Sequence, residues 1–179
     1  MLRIIYSWAF LFFKKIHLDR ESGGSKLENI QIKRIGDLLK YEVNHLVQKS
    51  KEEGFNFLIK LINEYESKRN TFSKTGECLY GIFRDDTLIG IGGLNQDPYT
   101  KDNKIGRLRR FYIAKDYRRK GLGRLLLGRI LSDAKIYFTI VVLHTDTEQG
   151  DQFYTLSGFV KGKMYVGTSH YLNLDKRMQ

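Results

Sequence analysis

Cysteine is nearly absent from this 179-residue chain, in which Cys78 carries the only thiol. A single cysteine excludes an intrachain disulfide and is typical of a protein kept in a reducing cytoplasm. It also excludes the cysteine spacing of zinc fingers. Cys78 lies in a predicted strand, so we expect a buried, unreactive thiol, with a role as nucleophile as the less favoured alternative.

Long apolar runs are also lacking. The N-terminal run 4–13 (IIYSWAFLFF) has ten residues, whereas a membrane-spanning helix needs about 20. No small-residue cleavage site follows it, as a signal peptide would require. The run could be an extra helix packed on the domain, an interfacial anchor that gives weak membrane contact, or an extension outside the fold. We predict that residues 1–25 are an appended hydrophobic extension and linker, and that 26–179 form one domain.

Acidic residues are the minority charge, since 20 Asp+Glu face 31 Lys+Arg and the net charge is +11. Such an excess suits an anionic partner, whether nucleic acid, membrane lipid or a phosphorylated cofactor, although solubility explains it equally well. The chain lacks the aromatic-basic pattern of ribonucleoprotein domains. Nucleic acid is therefore not the expected partner.

The pattern of apolar residues predicts a mixed α/β sheet with helices on its faces, in the order β-α-α-β-β-β-α-β-α-β-β. Asp85-Asp86 is predicted to join two strands as a hairpin, and Asp37 to cap a first helix. Residues 136–144 are apolar on both faces, which indicates a central buried strand. The predicted strands are 29–35, 77–84, 87–94, 107–113, 136–144, 159–166 and 169–174.

A basic glycine turn, 118–124 (RRKGLGR), follows the 107–113 strand and opens the helix that begins at Leu122. Its two glycines let the backbone approach a ligand closely, and the free N–H groups of a helix's first turn form an anion site. A dinucleotide-binding turn needs a third glycine where this chain has Leu126, and no Gly-Lys-Ser/Thr closes the turn as in a P-loop. The segment therefore predicts a phosphate-bearing ligand of another class.

The motif Arg118-x-x-Gly121-x-Gly123, after a strand that ends with residues 111–113 (FYI), resembles the acetyl-CoA signature of the GNAT acyltransferase superfamily. A second block, 153–159 (FYTLSGF), resembles the end of that family's last helix, at the family's spacing. The resemblance covers roughly residues 28–175. It implies the GNAT fold and an acetyl-CoA-dependent N-acetyltransferase that uses no metal.

The resemblance also assigns the cofactor's contacts. The pantetheine arm pairs with the backbone of 111–113, the diphosphate lies on the N–H groups of 119–124, and basic side chains add charge, for instance towards the 3′-phosphate. Thr147 stands where relatives often carry asparagine, so its hydroxyl either contacts the cofactor arm or only caps a helix. The expected cofactor-binding residues are Phe111, Tyr112, Ile113, Arg118, Arg119, Lys120, Gly121, Leu122, Gly123, Arg124 and Thr147.

Of the catalytic groups, the resemblance identifies the acid more clearly than the base. Tyr154 matches the tyrosine that commonly protonates the departing thiolate, with packing in the core as the alternative. The N–H of Ile113 or its neighbours is expected to polarise the thioester carbonyl. The candidate bases are His144 and Asp146, although burial in the core is the favoured interpretation of His144. Asp97 and Glu77 are weaker candidates.

Arg107 occupies the position at which many relatives carry a glutamate on the central strand. Because arginine forks match carboxylates and phosphates, we predict that Arg107 and Arg109 bind such a group on the acceptor.

These observations predict a cytoplasmic N-acetyltransferase that moves an acetyl group to a primary amine of a small molecule or a protein. Direct transfer in a ternary complex is expected, because no well-supported nucleophile is visible. The alternatives are a CoA-binding or regulatory module without turnover, a nucleic-acid binder, and a membrane-attached form of the enzyme. The acceptor and the oligomeric state stay open, a homodimer included.

Overall fold

The computed structural model describes residues 29–175, so the predicted N-terminal extension, with its apolar run 4–13 and linker, lies outside the described residues. Within that range no helix has both the length and the apolar character to cross a membrane. The strands are β1 (Ile30–Arg34), β2 (Cys78–Arg84), β3 (Thr87–Gln96), β4 (Ile105–Ile113), β5 (Ile140–Leu143), β6 (Val160–Lys161) and β7 (His170–Asn173). The helices are α1 (Asn44–Glu52), α2 (Phe57–Glu66), α3 (Leu122–Tyr137) and α4 (Glu148–Leu156).

The seven strands form one sheet in the order β1-β2-β3-β4-β5-β7-β6. All neighbours are antiparallel except β4 and β5. Apolar side chains of α1 and α2 pack on one face, and those of α3 with part of α4 pack on the other. The mixed α/β sheet and the predicted order of elements are confirmed.

Several predicted boundaries are wrong. The first helical region begins as a 3-10 turn, Leu38–Lys40, and α1 starts only at Asn44. Asp37 does cap this turn, because its carboxylate accepts from the N–H of Leu39 at 3.1 Å. The predicted strand 159–166 is reduced to the two residues of β6, since only Val160 and Lys161 pair with β7.

The predicted strand 136–144 also begins too early. Ile136 and Tyr137 belong to the last turn of α3 and are 72% and 43% exposed. The N–H of Phe138 donates to the carbonyl of Ala134 at 2.8 Å, which carries the helix through these residues before the chain becomes extended. The buried part of the strand is therefore β5 alone, whose last three residues are buried.

The sheet opens between β4 and β5. Only Ile105, Gly106 and Arg107 of β4 pair with β5, so within the described chain residues 108–113 have no partner on that side. Arg110 has a φ of 57° inside the strand, and the register between β3 and β4 shifts there, which defines a β-bulge. A bulge bends the strand that carries it and increases its twist. The result is a gap in the middle of the sheet, bordered by six residues of β4.

Candidate functional site

The turn 118–124 ends against this gap and presents unpaired amides. Arg119 and Gly121 have φ angles of 62° and 78°, and Gly121 is the N-cap of α3 without a capping side chain. In the described part of the chain, the N–H groups of 119–124 donate to no protein oxygen. Free amides at the positive end of a helix dipole favour an anion. The turn is therefore equipped to hold a phosphate group.

Gly123 lies where α3 meets α4. A Cβ at this position would be 3.3 Å from the ring of Phe153, closer than a comfortable contact. The glycine thus permits the close approach of the two helices beside the turn.

Arg118 braces the turn from behind. Its Nε donates to the carbonyl of Ile113 at 2.8 Å, and its two terminal nitrogens donate to the two carboxylate oxygens of Glu53 at 2.6 and 2.8 Å. The hydroxyl of Tyr112 donates to the same carboxylate at 2.6 Å. Burial acts to raise the pKa of Glu53, but the hydrogen bonds from Arg118 and Tyr112 hold it below its ordinary value. Burial and the neighbouring Glu53 raise the pKa of Tyr112, so its phenol stays neutral.

The charge that the turn offers to solvent therefore comes from Arg119, Lys120 and Arg124, which are all exposed. The Nζ of Lys120 donates to the carbonyl of Asp116 at 3.0 Å, close to the turn. From the sequence, Arg118 was expected to add charge for the ligand together with these three residues. Its partner Glu53 was not identified, because the two residues are 65 positions apart and no local pattern connects them.

Tyr154 lies on the opposite side of β4 from Tyr112. Its ring packs against Phe111, Phe153 and Phe159 with centroid distances of 6.2, 5.1 and 5.6 Å. Its hydroxyl forms no hydrogen bond within residues 29–175, and burial raises the pKa of Tyr154 well above its ordinary value. The phenol therefore keeps its proton throughout the neutral range. The contact with Phe111 sets Tyr154 beside the part of β4 that borders the gap.

The loop after β5 carries the two predicted bases. His144 and Asp146 are both exposed, so the expectation of a buried His144 is wrong. Thr147 is the N-cap of α4 and accepts from the N–H of Gly150 at 3.1 Å. Of the two roles considered for Thr147, capping is observed, and the contact with a cofactor arm stays a prediction.

The weaker candidate bases are both engaged in structural contacts. Asp97 forms an ion pair with Arg107 at 2.8 Å, in which both side chains are more than nine-tenths buried. The carboxylate of Glu77 accepts from the N–H groups of Lys74 and Gln96 at 3.2 and 3.1 Å. These contacts favour structural roles for both carboxylates, and a role as base stays a prediction for each.

Arg107 also donates to the carbonyls of Val166 and Gly167, at 2.6 and 2.9 Å. These bonds tie the segment before β7 to β4. The contacts favour a structural role for Arg107, whereas its role in acceptor binding stays a prediction. Arg109, two positions on, is only half-buried.

Comparison with known proteins identifies the family of the chain. The family described as "Acetyltransferase (GNAT) family" matches residues 40–159, which include the turn and Tyr154. A candidate acetyltransferase from Exiguobacterium sp. 255-15 superposes with a TM-score of 0.73 at 26% identity, over 81% of this chain and 93% of that one.

Two further solved structures share the fold. A GNAT-family acetyltransferase from Staphylococcus aureus Mu50 has a TM-score of 0.66 at 19% identity and covers 81% of this chain and 99% of its own. A candidate acetyltransferase from Salmonella typhimurium, solved with its cofactor acetyl-CoA, has a TM-score of 0.63 at 14% identity, over 85% of this chain and 98% of that one. Because the family match spans more than half of the sequence, the chain belongs to the acetyltransferase (GNAT) family.

Proposed function

We propose that the protein transfers an acetyl group from acetyl-CoA to a primary amine, on a small molecule or a protein, by direct transfer in a ternary complex. The observation that carries the proposal is the unpaired stretch of β4 next to a turn of free amides. Together they offer a main-chain edge for an extended amide-containing arm and an anion site for a diphosphate.

The residues present fit this cofactor. The backbone of 111–113 borders the gap, the N–H groups of 119–124 would hold the diphosphate, and exposed Arg119, Lys120 and Arg124 add positive charge. Acetyl-CoA would supply an activated acetyl thioester and a thiolate leaving group.

The chain's own groups divide the proton transfers between them. Tyr154 holds a proton that it would donate to sulfur as the carbon–sulfur bond breaks. As the nitrogen–carbon bond forms, the amine loses a proton, for which exposed His144 and Asp146 are the candidate acceptors, directly or through water. The N–H of Ile113 or its neighbours would polarise the carbonyl.

Direct transfer is supported by the state of the only thiol. Cys78 is buried in β2, and burial raises its pKa to about 12. Because the thiolate is the nucleophilic form, this thiol is unsuited to carry an acetyl group between two half-reactions.

A second candidate function is a module that binds CoA without turnover. It is favoured by one observation, that the buried carboxylates near the start of β4, Asp97 and Glu77, are engaged in structural contacts. The resemblance to the family adds that Arg107 stands where many relatives carry a glutamate.

Two measurements on the full chain separate these functions. Calorimetry with CoA tests the cofactor, and thiol release from acetyl-CoA, measured across amino acids, polyamines and aminoglycosides, tests turnover. Release that depends on an added amine supports the transferase. Heat of binding without any amine-dependent release would favour the module, and no heat at millimolar CoA would overturn both.

A further inference from the structure

Three arginines of β4 lie on the sheet face that α1 and α2 cover. Arg109 pairs across the sheet with Gly93, and a Cβ on Gly93 would be 2.3 Å from the ring of Phe72, which belongs to the core on that face. Directly paired residues of adjacent strands share a face. Arg107 is two positions away and therefore shares it, and Arg110 reaches α2 on the same side.

The carboxylates around this cluster neutralise only two of the three arginines. Arg107 pairs with Asp97 at 2.8 Å, and one terminal nitrogen of Arg110 lies 2.7 Å from each carboxylate oxygen of Glu64. Within residues 29–175, Arg109 forms no hydrogen bond and no ion pair. Three positive charges against two negative ones leave the cluster one positive charge in excess, and that charge is on Arg109.

The surroundings of Arg109 disfavour this excess positive charge. Arg109 is half-buried, and its pKa is lowered by burial first and by the charge of Arg110 second. A partly desolvated guanidinium beside like charges gains more from an anion than an exposed arginine does.

The side of the sheet on which Arg109 lies connects its charge to the proposed reaction. The helix α3 packs on the opposite face, although Arg118 itself contacts Glu53 on the α1–α2 side. A cofactor whose diphosphate lies on the amides at the start of α3 would therefore reach the gap from the α3 face. An acceptor amine would then approach from the other face, where Arg109 is located. Arg109 lies close to the start of the gap along β4, because it is two residues beyond the last residue that pairs with β5.

We propose that Arg109 binds an acidic group of the acceptor, so that the natural substrate is an amine that also bears a carboxylate or a phosphate. This inference rests on the proposed function and narrows it. A forked guanidinium pairs with either anion through two hydrogen bonds. Polyamines and aminoglycosides, which carry several positive charges, are disfavoured by the same cluster.

The test compares acceptors that differ only in the acidic group. Thiol release from acetyl-CoA is measured with n-alkylamines, ω-amino carboxylates and ω-aminoalkyl phosphonates over a series of chain lengths. The proteins are the wild type, Arg109→Ala, Arg109→Lys and the control Arg129→Ala. Arg129 is an exposed arginine on α3, on the other face, where it contacts Tyr80 and Asp133.

We expect the wild type to prefer one anionic series, which identifies the acid as carboxylate or phosphate. Arg109→Ala should lower kcat/KM for that series about tenfold to a hundredfold, the range for a lost charge-assisted bond, and leave the neutral amines within about twofold. Arg109→Lys should recover part of the loss, because it keeps the charge without the fork. Arg129→Ala should behave as the wild type in both series.

Each other result is decisive. Equal use of neutral and anionic amines, or equal loss for both in Arg109→Ala, overturns the inference and leaves the acetyltransferase intact. No thiol release with any amine overturns the proposed function, and calorimetry of the same ω-amino acids with the CoA-saturated protein then tests the anion site alone. Heat that is lost in Arg109→Ala supports the site, and no heat in the wild type rejects it. If Arg109→Ala fails to bind CoA, the comparison is made with Arg109→Lys. A loss confined to the anionic amines supports the inference, and an equal loss for neutral and anionic amines overturns it.

Discussion

Removing the carboxylate of Glu53 should loosen the support behind the turn 118–124. In Glu53→Ala, Arg118 loses two charge-assisted hydrogen bonds and Tyr112 loses one, all between 2.6 and 2.8 Å. Such bonds contribute about 1.5–3 kcal/mol each, but the side chains of Glu53 and Arg118 are 21% and 30% exposed, so solvent recovers part of the loss. We expect the free energy of unfolding to fall by about 2–4 kcal/mol, which lowers Tm by about 5–10 °C for a domain of this size.

Urea and thermal unfolding measure this loss, and the matched control is Glu52→Ala. Glu52 is the exposed last residue of α1 and the neighbour of Glu53, which is the C-cap of that helix, so its removal changes net charge equally without touching the turn. A double-mutant cycle with Arg118→Ala should give a coupling of about 1–2 kcal/mol. If Glu53→Ala and Glu52→Ala differ by less than about 0.5 kcal/mol, the bracing role is refuted.

The same carboxylate predicts a pH dependence. Because the pKa of Glu53 is lower in the folded protein, its charge stabilises the fold above the unfolded pKa of about 4.3. The contribution is lost as pH falls through the folded value. The difference in unfolding free energy between wild type and Glu53→Gln should therefore be constant from pH 8 to about 5 and shrink below that.

Two further substitutions test the proposed roles of the turn and of the acid. Gly121→Ala puts a side chain at a φ of 78°, which costs about 1–2 kcal/mol and should weaken CoA binding in calorimetry, whereas Gly128→Ala, which meets nothing within 4 Å inside α3, should leave affinity unchanged. Unchanged affinity in Gly121→Ala would count against the anion site. Tyr154→Phe removes a hydroxyl without a hydrogen bond in the described chain, so stability and CoA affinity should be retained while kcat falls about a hundredfold to ten-thousandfold. A normal kcat would show that another group protonates the sulfur.

Features that depend only on residues adjacent in the chain were predictable from the sequence. The hairpin at Asp85-Asp86 is confirmed, and both residues have the positive φ angles, 47° and 64°, of a tight two-residue turn. The start of α4 was predictable because Thr147 supplies the cap that the sequence analysis considered for it. The turn 118–124 was recognisable since glycine and helix start are local signals.

Features that depend on how distant segments meet were not predictable. The bulge at Arg110 requires the register between β3 and β4, and no composition pattern marks it. The use of Arg118 and Arg107 as internal braces depends on Glu53 and Asp97, which the fold brings to them. A basic residue in a motif therefore indicates charge near a site, while its partner decides whether that charge reaches the ligand.

Among residues 29–175, strands β1–β4 and strands β5–β7 are joined by three residue pairs of β4 and β5, next to which the N–H groups of Thr139 and Ile140 donate to the carbonyl of Lys104. The two halves of the sheet are therefore weakly joined in its interior. A molecule bound in the gap would contact both halves and strengthen their association. By mass action, a ligand at a hundred times its Kd adds about 2.7 kcal/mol to the stability of the state that binds it. If the proposed cofactor binds in this gap, the stability of the fold would therefore depend on the concentration of that cofactor as well as on the chain itself.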